Sequence, residues 1–415
     1  MKGYSKYLRT FGGGIRDSSM SVQRFTKYRI KLVLNSIWAL PAVFFIRILR
    51  PIVRIQICKI FSERIGHFTP DIAEHICREN FRDARTLNLY YFGMISNKQW
   101  EVMARRSNLI ILGRWVRYID KWNQLIPGGD AHVLNSSLTQ SRDIEGLFVR
   151  YDGSISFLEE ENRLGKEYLE SKGWRAGEPF VCLLVRDSKF LKSNLVVDGS
   201  HHNYRDSNIN TYVSSMEWLA SQGVWVLRMG KLMERSFPTQ SNRIIDYAFD
   251  SSKSDFLDIW LFANCDGVIS TATGLDYLAA IYRKPQLYLN ALPLGHLHSW
   301  SDMIWVPKNL KWKKTGISLS ISEHLQHDYY SSDQYGDAGI EVVDLSSKEI
   351  DAAIAEFWAK ICGSWQDNPH NADLQENFWK VFMDWPQYDE MHGFRHSSAV
   401  VGSGWLANLS DDSLK

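Results

Sequence analysis

Residues 265–279 read CDGVISTATGLDYLA, and this stretch joins two apolar segments through a run of small hydroxyl residues and one glycine. A chain that needed only a turn would more often use Asn, Asp or Pro there. Residues 267–270 are typical of a buried strand, and the apolar residues after Gly274 are typical of a buried helix. The small residues between them indicate that another group approaches this backbone closely.

Strands and helices alternate on both sides of this stretch. Strands are predicted at 180–185, 224–229, 267–270 and 285–290, with helices at 211–223, at 254–265 and after Gly274. This alternation predicts an α/β protein with a mostly parallel, doubly wound sheet. The capping box of Ser346 and Glu349 predicts the helix that closes this domain.

A strand, a loop and a helix earlier in the chain predict a second sheet of the same kind. Residues 53–58 alternate between apolar and polar, which is the period of a strand. Thr69 is the expected cap of the next helix, with Pro70 as its first residue. Gly66 and His67 are then expected in a loop at the carboxyl end of the strand, where open α/β sheets bind ligands.

The net charge, the cysteines and the histidines indicate which partners, cell compartment and metal sites to expect. The 415 residues carry a formal net charge of +1, which does not favour nucleic acid as a partner. The five cysteines are far apart in the sequence, so we expect reduced, buried thiols and a cytoplasmic protein. No metal site is predicted, because His201, His202, His296 and His298 lie in loops without carboxylate partners.

The first 50 residues are basic and then apolar. The apolar run at 32–46 is too short and too interrupted for a comfortable transmembrane helix. Arg47, Arg50 and Arg54 are spaced to share one helix face beside aromatic residues, which favours a helix lying on an anionic membrane surface. The alternative is a helix packed on the protein's own core.

Polar and charged residues follow three of the predicted strands. Arg186 and Asp187 lie in VRDS (185–188), Arg228 and Lys231 lie in RMGK (228–231), and the third strand runs into the hydroxyl residues 270–274. Arginine forks, hydroxyls and free amides at a helix start all bind phosphate. Because neighbouring parallel strands end at one edge of a sheet, these groups are expected to converge. The alternative for the hydroxyl run is a helix cap.

FVCLLVRDS (180–188), ERIGHF (63–68) and the stretches at 204–230 and 244–285 resemble a bacterial family of GT-B-type glycosyltransferases encoded in surface-polysaccharide loci. The resemblance covers most of residues 50–365. LDIWLFANCDGVISTAT (257–273) and LVRD (184–187) are more distantly similar to the α1,6- and protein O-fucosyltransferases. Leu184 stands where that family has histidine, so the resemblance does not extend to a guanine nucleotide or to fucose.

The resemblance implies a GT-B-like fold, in which two doubly wound Rossmann-like domains face a cleft. Residues 51–175 would form the acceptor domain and 176–365 the donor domain, between a membrane-associating segment at 1–50 and a tail at 366–415. The tail is expected to pack across both halves or onto the first. The implied activity is metal-independent transfer of a sugar from a nucleotide-diphosphate donor, without a further cofactor, to a glycan or lipid-linked acceptor. The protein would act on the cytoplasmic side of the inner membrane.

Roles for individual residues follow from the resemblance and from transfer chemistry. Arg186 would hold the donor pyrophosphate and stabilise the leaving charge. His67 is the candidate general base, although it could merely cap or pack, and Glu63 and Arg64 could instead bind acceptor. Asp187, Asp206 and Asp255 are expected to order loops or cap helices. The predicted donor-binding residues are Arg228, Lys231, Asp258, Ser270, Thr271, Thr273 and Gly274.

Two other functions remain open at this point. A nucleotide-sugar epimerase on the same fold would need paired carboxylates and a cleft histidine. A catalytically silent scaffold would have no reason to keep VRDS and STATG.

Overall fold

The computed structural model describes residues 36–187, 189 and 203–409. Its helices are α1 (Ala39–Ile48), α2 (Ile65–Arg78), α3 (Lys98–Arg105), α4 (Val116–Leu125), α5 (Leu147–Arg150), α6 (Glu159–Ser171), α7 (Val213–Ser221), α8 (Asp255–Asn264), α9 (Tyr277–Ile281), α10 (Ile321–Gln326), α11 (Ser332–Asp337), α12 (Ser347–Ile361), α13 (Pro369–Met383), α14 (Tyr388–Met391) and α15 (Ser403–Ala407). Its strands are β1 (Arg54–Ile60), β2 (Thr86–Phe92), β3 (Ile110–Ile111), β4 (Val133–Leu134), β5 (Phe180–Leu184), β6 (Trp225–Arg228), β7 (Ile244–Ile245), β8 (Gly267–Ser270), β9 (Gln286–Ala291), β10 (Met303–Pro307), β11 (Asn309–Trp312), β12 (Ile340–Val343) and β13 (Ala399–Val401).

The larger sheet has seven strands in the order β13-β10-β9-β8-β5-β6-β7. All of its neighbouring strands are parallel. Counted from β5, the order is that of a Rossmann sheet, because β6 and β7 extend it to one side and β8, β9 and β10 to the other. Its switch point, where the chain reverses the direction in which it adds strands, lies between β5 and β8. The predicted doubly wound sheet is confirmed.

The smaller sheet has four strands in the order β3-β2-β1-β4. β1 pairs with β4 in parallel, with Ile57 opposite Val133. A third, two-stranded sheet pairs β11 with β12 in antiparallel fashion. The expected α/β class with two parallel sheets is therefore confirmed.

Contacts divide the chain into two compact units. Among the described residues, one unit contains the chain up to Cys58 together with Asp83–Tyr91 and Leu112–Leu134. The other unit contains Lys59–Arg82, Phe92–Ile111 and the described residues from Asn135 onward. The second unit holds the seven-stranded sheet and, in addition, α2 and α3. The predicted domain boundaries at residues 50, 175 and 365 stay predictions.

The start of α2 differs from the prediction. The helix begins at Ile65, so His67 lies in its first turn rather than in a loop, and Pro70 lies inside the helix rather than at its first position. The Thr69 hydroxyl donates to the Ile65 carbonyl instead of capping the helix. The proline removes one intrahelical hydrogen bond, the one that an amide at this position would donate to the Gly66 carbonyl.

The carboxyl-terminal tail completes the second unit. β13 pairs with β10 at the edge of the large sheet, and Phe378, Trp379 and Phe382 of α13 are buried in the same core as β9 and β10. The Phe394 amide donates to the Ile144 carbonyl at 2.7 Å. Both contacts lie within the second unit, and the expected placement of the tail relative to the two predicted domains stays a prediction.

Only part of the predicted membrane segment lies within the described residues, because residues 1–35 fall outside them. The shared basic face predicted for Arg47, Arg50 and Arg54 is wrong. Arg47 donates to the carbonyls of Asn123, Ile126 and Pro127, where α4 ends. Arg54 is in β1, because α1 ends at Ile48. None of the described helices is long and apolar enough to cross a membrane.

The cysteines are placed nearly as expected. Cys58, Cys77, Cys182 and Cys265 are buried. Cys362 is exposed, contrary to the prediction, because it lies just after the last residue of α12.

Candidate functional site

The candidate site lies in the second unit, at the switch point of the large sheet. The chain leaves β5 towards Arg186 and leaves β8 towards Thr271, and the two segments are joined directly. The Arg186 amide donates to Thr271 Oγ1 at 2.9 Å, and the Thr271 amide donates to the Leu184 carbonyl at 3.1 Å. The predicted adjacency of the three strand ends is confirmed, since β8, β5 and β6 are consecutive in the sheet.

The Arg186 side chain is largely buried and has one carboxylate partner. Its Nε lies 3.2 Å from Asp206 Oδ1, and the two side chains are 16% and 23% exposed. Burial and the nearby guanidinium of Arg205 lower the pKa of Arg186 from its ordinary value. Burial also raises the pKa of Asp206, despite the attraction of Arg186. The charges of Arg186 and Asp206 offset each other, and Arg205 adds a further positive charge beside the pair.

Arg205 is a second cation at the same loop. Its Nη2 donates to the carbonyl of Ala272, the residue between Thr271 and Thr273. Its buried Nε has no hydrogen-bond partner among the described residues, and neither has the buried Thr273 hydroxyl. Buried donors without partners are rare and mark places where a ligand or water binds. The sequence does not single out Arg205, because it follows no predicted strand.

Ala272 itself has a left-handed backbone, with φ of 57°. This conformation costs about 1–3 kcal/mol for a residue other than glycine and tends to occur at functional sites. The Ala272 carbonyl accepts the bond from Arg205, and the hydroxyl of the next residue, Thr273, is buried.

The amides near Gly274 are not those of a helix start. α9 begins at Tyr277 and has only five residues, which corrects the predicted start at Gly274. The buried Asp276 carboxylate accepts bonds from the Ser270 hydroxyl and the Thr273 amide, and burial raises its pKa to about 6. These two predicted phosphate donors therefore hold the loop in shape, and a ligand would have to compete with Asp276 for them.

Gly274 is in contact with Gly66 of α2. A Cβ placed on Gly66 would lie 2.6 Å from the Gly274 Cα, and a Cβ on Gly274 would lie 3.0 Å from the Gly66 Cα. The close approach that the small residues of 265–279 predict is therefore made by the chain's own backbone. It brings the first turn of α2 next to residues 270–274, which we call the hydroxyl loop.

His67 follows Gly66 and is held by hydrogen bonding. Its Nδ1 lies 2.8 Å from Ser141 Oγ. Burial, together with Arg64 and Arg142, lowers the pKa of His67 to about 4. The imidazole is therefore neutral near pH 7, because burial and the two arginines disfavour its protonated form.

The other predicted donor residues have other contacts. Arg228 is 1% exposed, and its Nη1 lies 3.1 Å from Asp246 Oδ1. Lys231 Nζ lies 3.4 Å from the Ser96 carbonyl. Asp258 accepts a bond from the Tyr247 hydroxyl at 2.9 Å, and burial raises its pKa to about 6. Their assignment to the donor stays a prediction, as do those of Arg186, Ser270, Thr271, Thr273 and Gly274.

The remaining acidic residues order the chain, as expected. Asp255 Oδ2 accepts the Lys98 amide at the start of α3. Asp187 accepts the amides of Lys189 and Glu234. Glu63, for which acceptor binding is the expectation, is paired with Lys59 at 2.9 Å, and that role stays a prediction.

Two largely buried histidines, His296 and His298, lie in the segment between β9 and β10. Arg142 Nη2 lies 3.3 Å from His296 Nε2, and burial lowers the pKa of His298 to about 3. His201 and His202 lie outside the described residues. Within the described ranges, no group of three or more His, Cys, Asp or Glu side chains is placed to hold a metal ion.

Comparison with known proteins gives distant structural likenesses alone. No family model matches the chain, and no curated protein matches it. Among solved structures, the chain is similar to a glycosyl transferase family 9 protein from Veillonella parvula, with 10% identity, a TM-score of 0.38, and coverage of 61% of this chain and 86% of that one. It is also similar to the ADP-heptose LPS heptosyltransferase II of E. coli, with 12% identity, a TM-score of 0.37, and coverage of 58% and 86%. The spinosyn rhamnosyltransferase SpnG matches at 11% identity with a TM-score of 0.29, over 83% and 98%.

Proposed function

We propose that this protein is a glycosyltransferase that moves a sugar from a nucleotide-diphosphate donor to a polysaccharide or lipid-linked acceptor in cell-surface glycan synthesis. The observation that carries the proposal is the pair of arginines, Arg186 and Arg205, placed against the Thr271–Thr273 loop at the switch point. Open α/β sheets bind nucleotides in the crevice at this point. Two guanidinium groups beside hydroxyl donors suit a pyrophosphate.

The chemistry of transfer needs positive charge at this place. As the bond between the sugar and the diphosphate breaks, negative charge grows on the leaving phosphate oxygens. Fixed donors aimed at those oxygens stabilise the transition state more than the ground state. Arg186 and Arg205 would supply this stabilisation without a metal ion, and the Thr273 hydroxyl would add a neutral donor.

The proposed location is the cytoplasmic face of the inner membrane, where the protein would bind peripherally. Support comes from α1, in the first unit. Its Val43 and Ile46 pack on the core formed with α4, but Phe45 and Ile48 are 61% and 74% exposed. Apolar side chains exposed together on a helix suit insertion into the interfacial layer of a bilayer.

A panel of nucleotide sugars tests the activity. The full chain would be incubated with each donor and with membrane lipids and glycans as acceptors, in buffer containing EDTA, and released nucleoside diphosphate would be measured. We expect release from at least one donor. Loss of one oxyanion donor costs about 3 kcal/mol, so Arg186→Ala should be roughly a hundredfold slower.

Arg163→Ala is the matched control, because Arg163 is an exposed arginine of α6 that pairs with Glu160 and Glu167. It should release nucleotide at the wild-type rate. An epimerised donor would identify the epimerase instead. Absence of release from every donor, or dependence on an added divalent metal, would contradict the proposal.

A further inference from the structure

Three side chains near the hydroxyl loop form a continuous hydrogen-bonded line. His67 Nδ1 lies 2.8 Å from Ser141 Oγ, and Ser141 Oγ donates to Asp71 Oδ1 at 2.7 Å. The other oxygen of Asp71 accepts the Ser136 hydroxyl at 2.8 Å. His67 and Asp71 both belong to α2, whereas the serines come from the segment after β4.

The direction of the hydrogen bonds fixes the tautomer of His67. Above the pKa of about 7 to which burial raises Asp71, its carboxylate is ionised and accepts but cannot donate. The hydroxyl hydrogen of Ser141 then points to Asp71. Ser141 Oγ can then only accept from Nδ1 of His67. The proton therefore sits on Nδ1 and leaves Nε2 with its lone pair. Nε2 makes no hydrogen bond with another side chain or backbone group in the described part of the chain.

The segment that carries Ser141 is held in a costly conformation. Gln140 and Ser141 both have a left-handed backbone, with φ of 57° and 62°, at about 1–3 kcal/mol each. Glu74 of α2 helps to hold this segment, because it accepts the Thr139 hydroxyl at 3.2 Å. The Ser141 amide donates to Ser137 Oγ at 2.6 Å. A strained backbone persists only where the surrounding contacts hold it in place. Here those contacts place the Ser141 hydroxyl between His67 and Asp71.

His67, at one end of this series of hydrogen bonds, lies next to the proposed donor site. Gly66, the residue before His67, is in van der Waals contact with Gly274 of the hydroxyl loop. An acceptor hydroxyl that met Nε2 of His67 would therefore lie near a sugar whose pyrophosphate is bound by that loop.

We propose that His67 is the general base of the transfer reaction and that Asp71 and Ser141 are positioning residues that direct its Nε2 to the acceptor hydroxyl. This inference rests on the proposed function. In the reaction, Nε2 takes the proton of the acceptor hydroxyl while its oxygen forms a bond to the anomeric carbon. The bond from that carbon to the diphosphate oxygen breaks, and its electron pair leaves with the nucleoside diphosphate. A single displacement of this kind inverts the anomeric configuration.

The tautomer can be measured without any substrate. Full-length protein labelled with ¹⁵N-histidine would be studied by NMR at pH 8, above the pKa of about 7 to which burial raises Asp71. His67→Gln assigns the signal. We expect the Nδ1-protonated form in the wild type and its loss in Asp71→Asn and Ser141→Gly. A proton on Nε2 in the wild type would overturn the inference.

Kinetics with the donor found by nucleotide release test the role in transfer. We expect His67→Gln, Asp71→Asn and Ser141→Gly each to lower kcat by about a hundredfold or more, with KM for the nucleotide sugar unchanged. Ser141→Gly relieves the left-handed strain, so a loss of rate there reports the missing hydroxyl.

Ser136→Ala is the matched control, because it removes the other hydrogen bond of the same carboxylate. A purely structural role would make Ser136→Ala and Ser141→Gly equally slow, and that result would overturn the inference. So would full kcat in His67→Gln or a product with retained configuration. A wild-type protein that turns over no donor would refute the proposed function, while the tautomer measurement would still decide the alignment of His67.

Discussion

Arg186 and Arg205 both lie against the hydroxyl loop, but only Arg186 forms an ion pair with a carboxylate among the described residues. Arg186 is paired with Asp206 at 3.2 Å. Arg205 donates to a neutral carbonyl, and its Nε has no partner among the described residues. Removing Arg186 therefore leaves a partly buried carboxylate without its cation, whereas removing Arg205 does not.

This difference predicts unequal effects on stability. Leaving a buried polar group unsatisfied costs about 1–3 kcal/mol, so Arg186→Ala should lower the free energy of unfolding by about that amount. Arg205→Ala should change it by less, because no carboxylate loses its partner. Urea denaturation followed by circular dichroism measures both values. An equal or larger loss in Arg205→Ala would contradict this account of the two charges.

At the scale of elements, α2 and the loop after β8 are fixed to each other by two glycines. The Cβ of an alanine at residue 66 would come within 2.6 Å of the Gly274 Cα. Because this is a backbone atom, no side-chain rotation can relieve the clash. The substitution must push the first turn of α2 away from the loop.

We expect Gly66→Ala to destabilise the protein by about 1–3 kcal/mol, the usual cost of overpacking. Gly336→Ala in α11 is the matched control, since a Cβ there meets nothing within 4 Å. That change should be neutral or slightly stabilising, because alanine favours a helix more than glycine does. Thermal unfolding of both variants gives the comparison, and a fully stable Gly66→Ala protein would show that the contact is not close.

The exposed face of α1 makes a second prediction at this scale. Full burial of one large apolar side chain is worth about 1.5–3 kcal/mol, or roughly tenfold or more in affinity. Changing Phe45 and Ile48 to Ser together should therefore weaken binding to vesicles rich in phosphatidylglycerol by at least about tenfold. Vesicle sedimentation measures the affinity.

Ile317→Ser is the control for that experiment, because Ile317 is an exposed apolar residue of the second unit. It should leave vesicle binding unchanged. If the α1 variant binds as well as the wild type, or if Ile317→Ser is equally weakened, α1 is not the membrane-binding element.

At the scale of the whole molecule, the sequence predicts those parts of the candidate site that directly follow a strand of the large sheet. Periodicity locates the strands of the large sheet, and the residues that follow a strand must lie at its end. Local patterns are therefore enough to identify Arg186 and the hydroxyl loop, and to predict that the two are adjacent.

The rest depends on contacts between distant residues, which periodicity does not report. Arg205 lies in an irregular segment, and its position beside Ala272 depends on how that segment folds back. Ser141 and Asp71 are 70 residues apart in the hydrogen-bonded line. The role of Asp276 is not predicted either, because the sequence pattern places this residue inside a helix that begins at Gly274. Its hydrogen bonds to Ser270 and Thr273 explain why α9 begins only at Tyr277.

Equilibrium binding of nucleoside diphosphates tests the central claim most directly. Calorimetric titration of wild type, Arg205→Ala and the control Arg163→Ala would use the four common ribonucleoside diphosphates and deoxythymidine diphosphate. A hydrogen bond to a charged group contributes about 1.5–3 kcal/mol. At about 1.4 kcal/mol for each tenfold change, Arg205→Ala should bind roughly tenfold to a hundredfold more weakly, and the control should bind like the wild type. Equal affinity of all three proteins, or no binding to any diphosphate, would contradict a nucleotide-sugar site at the switch point.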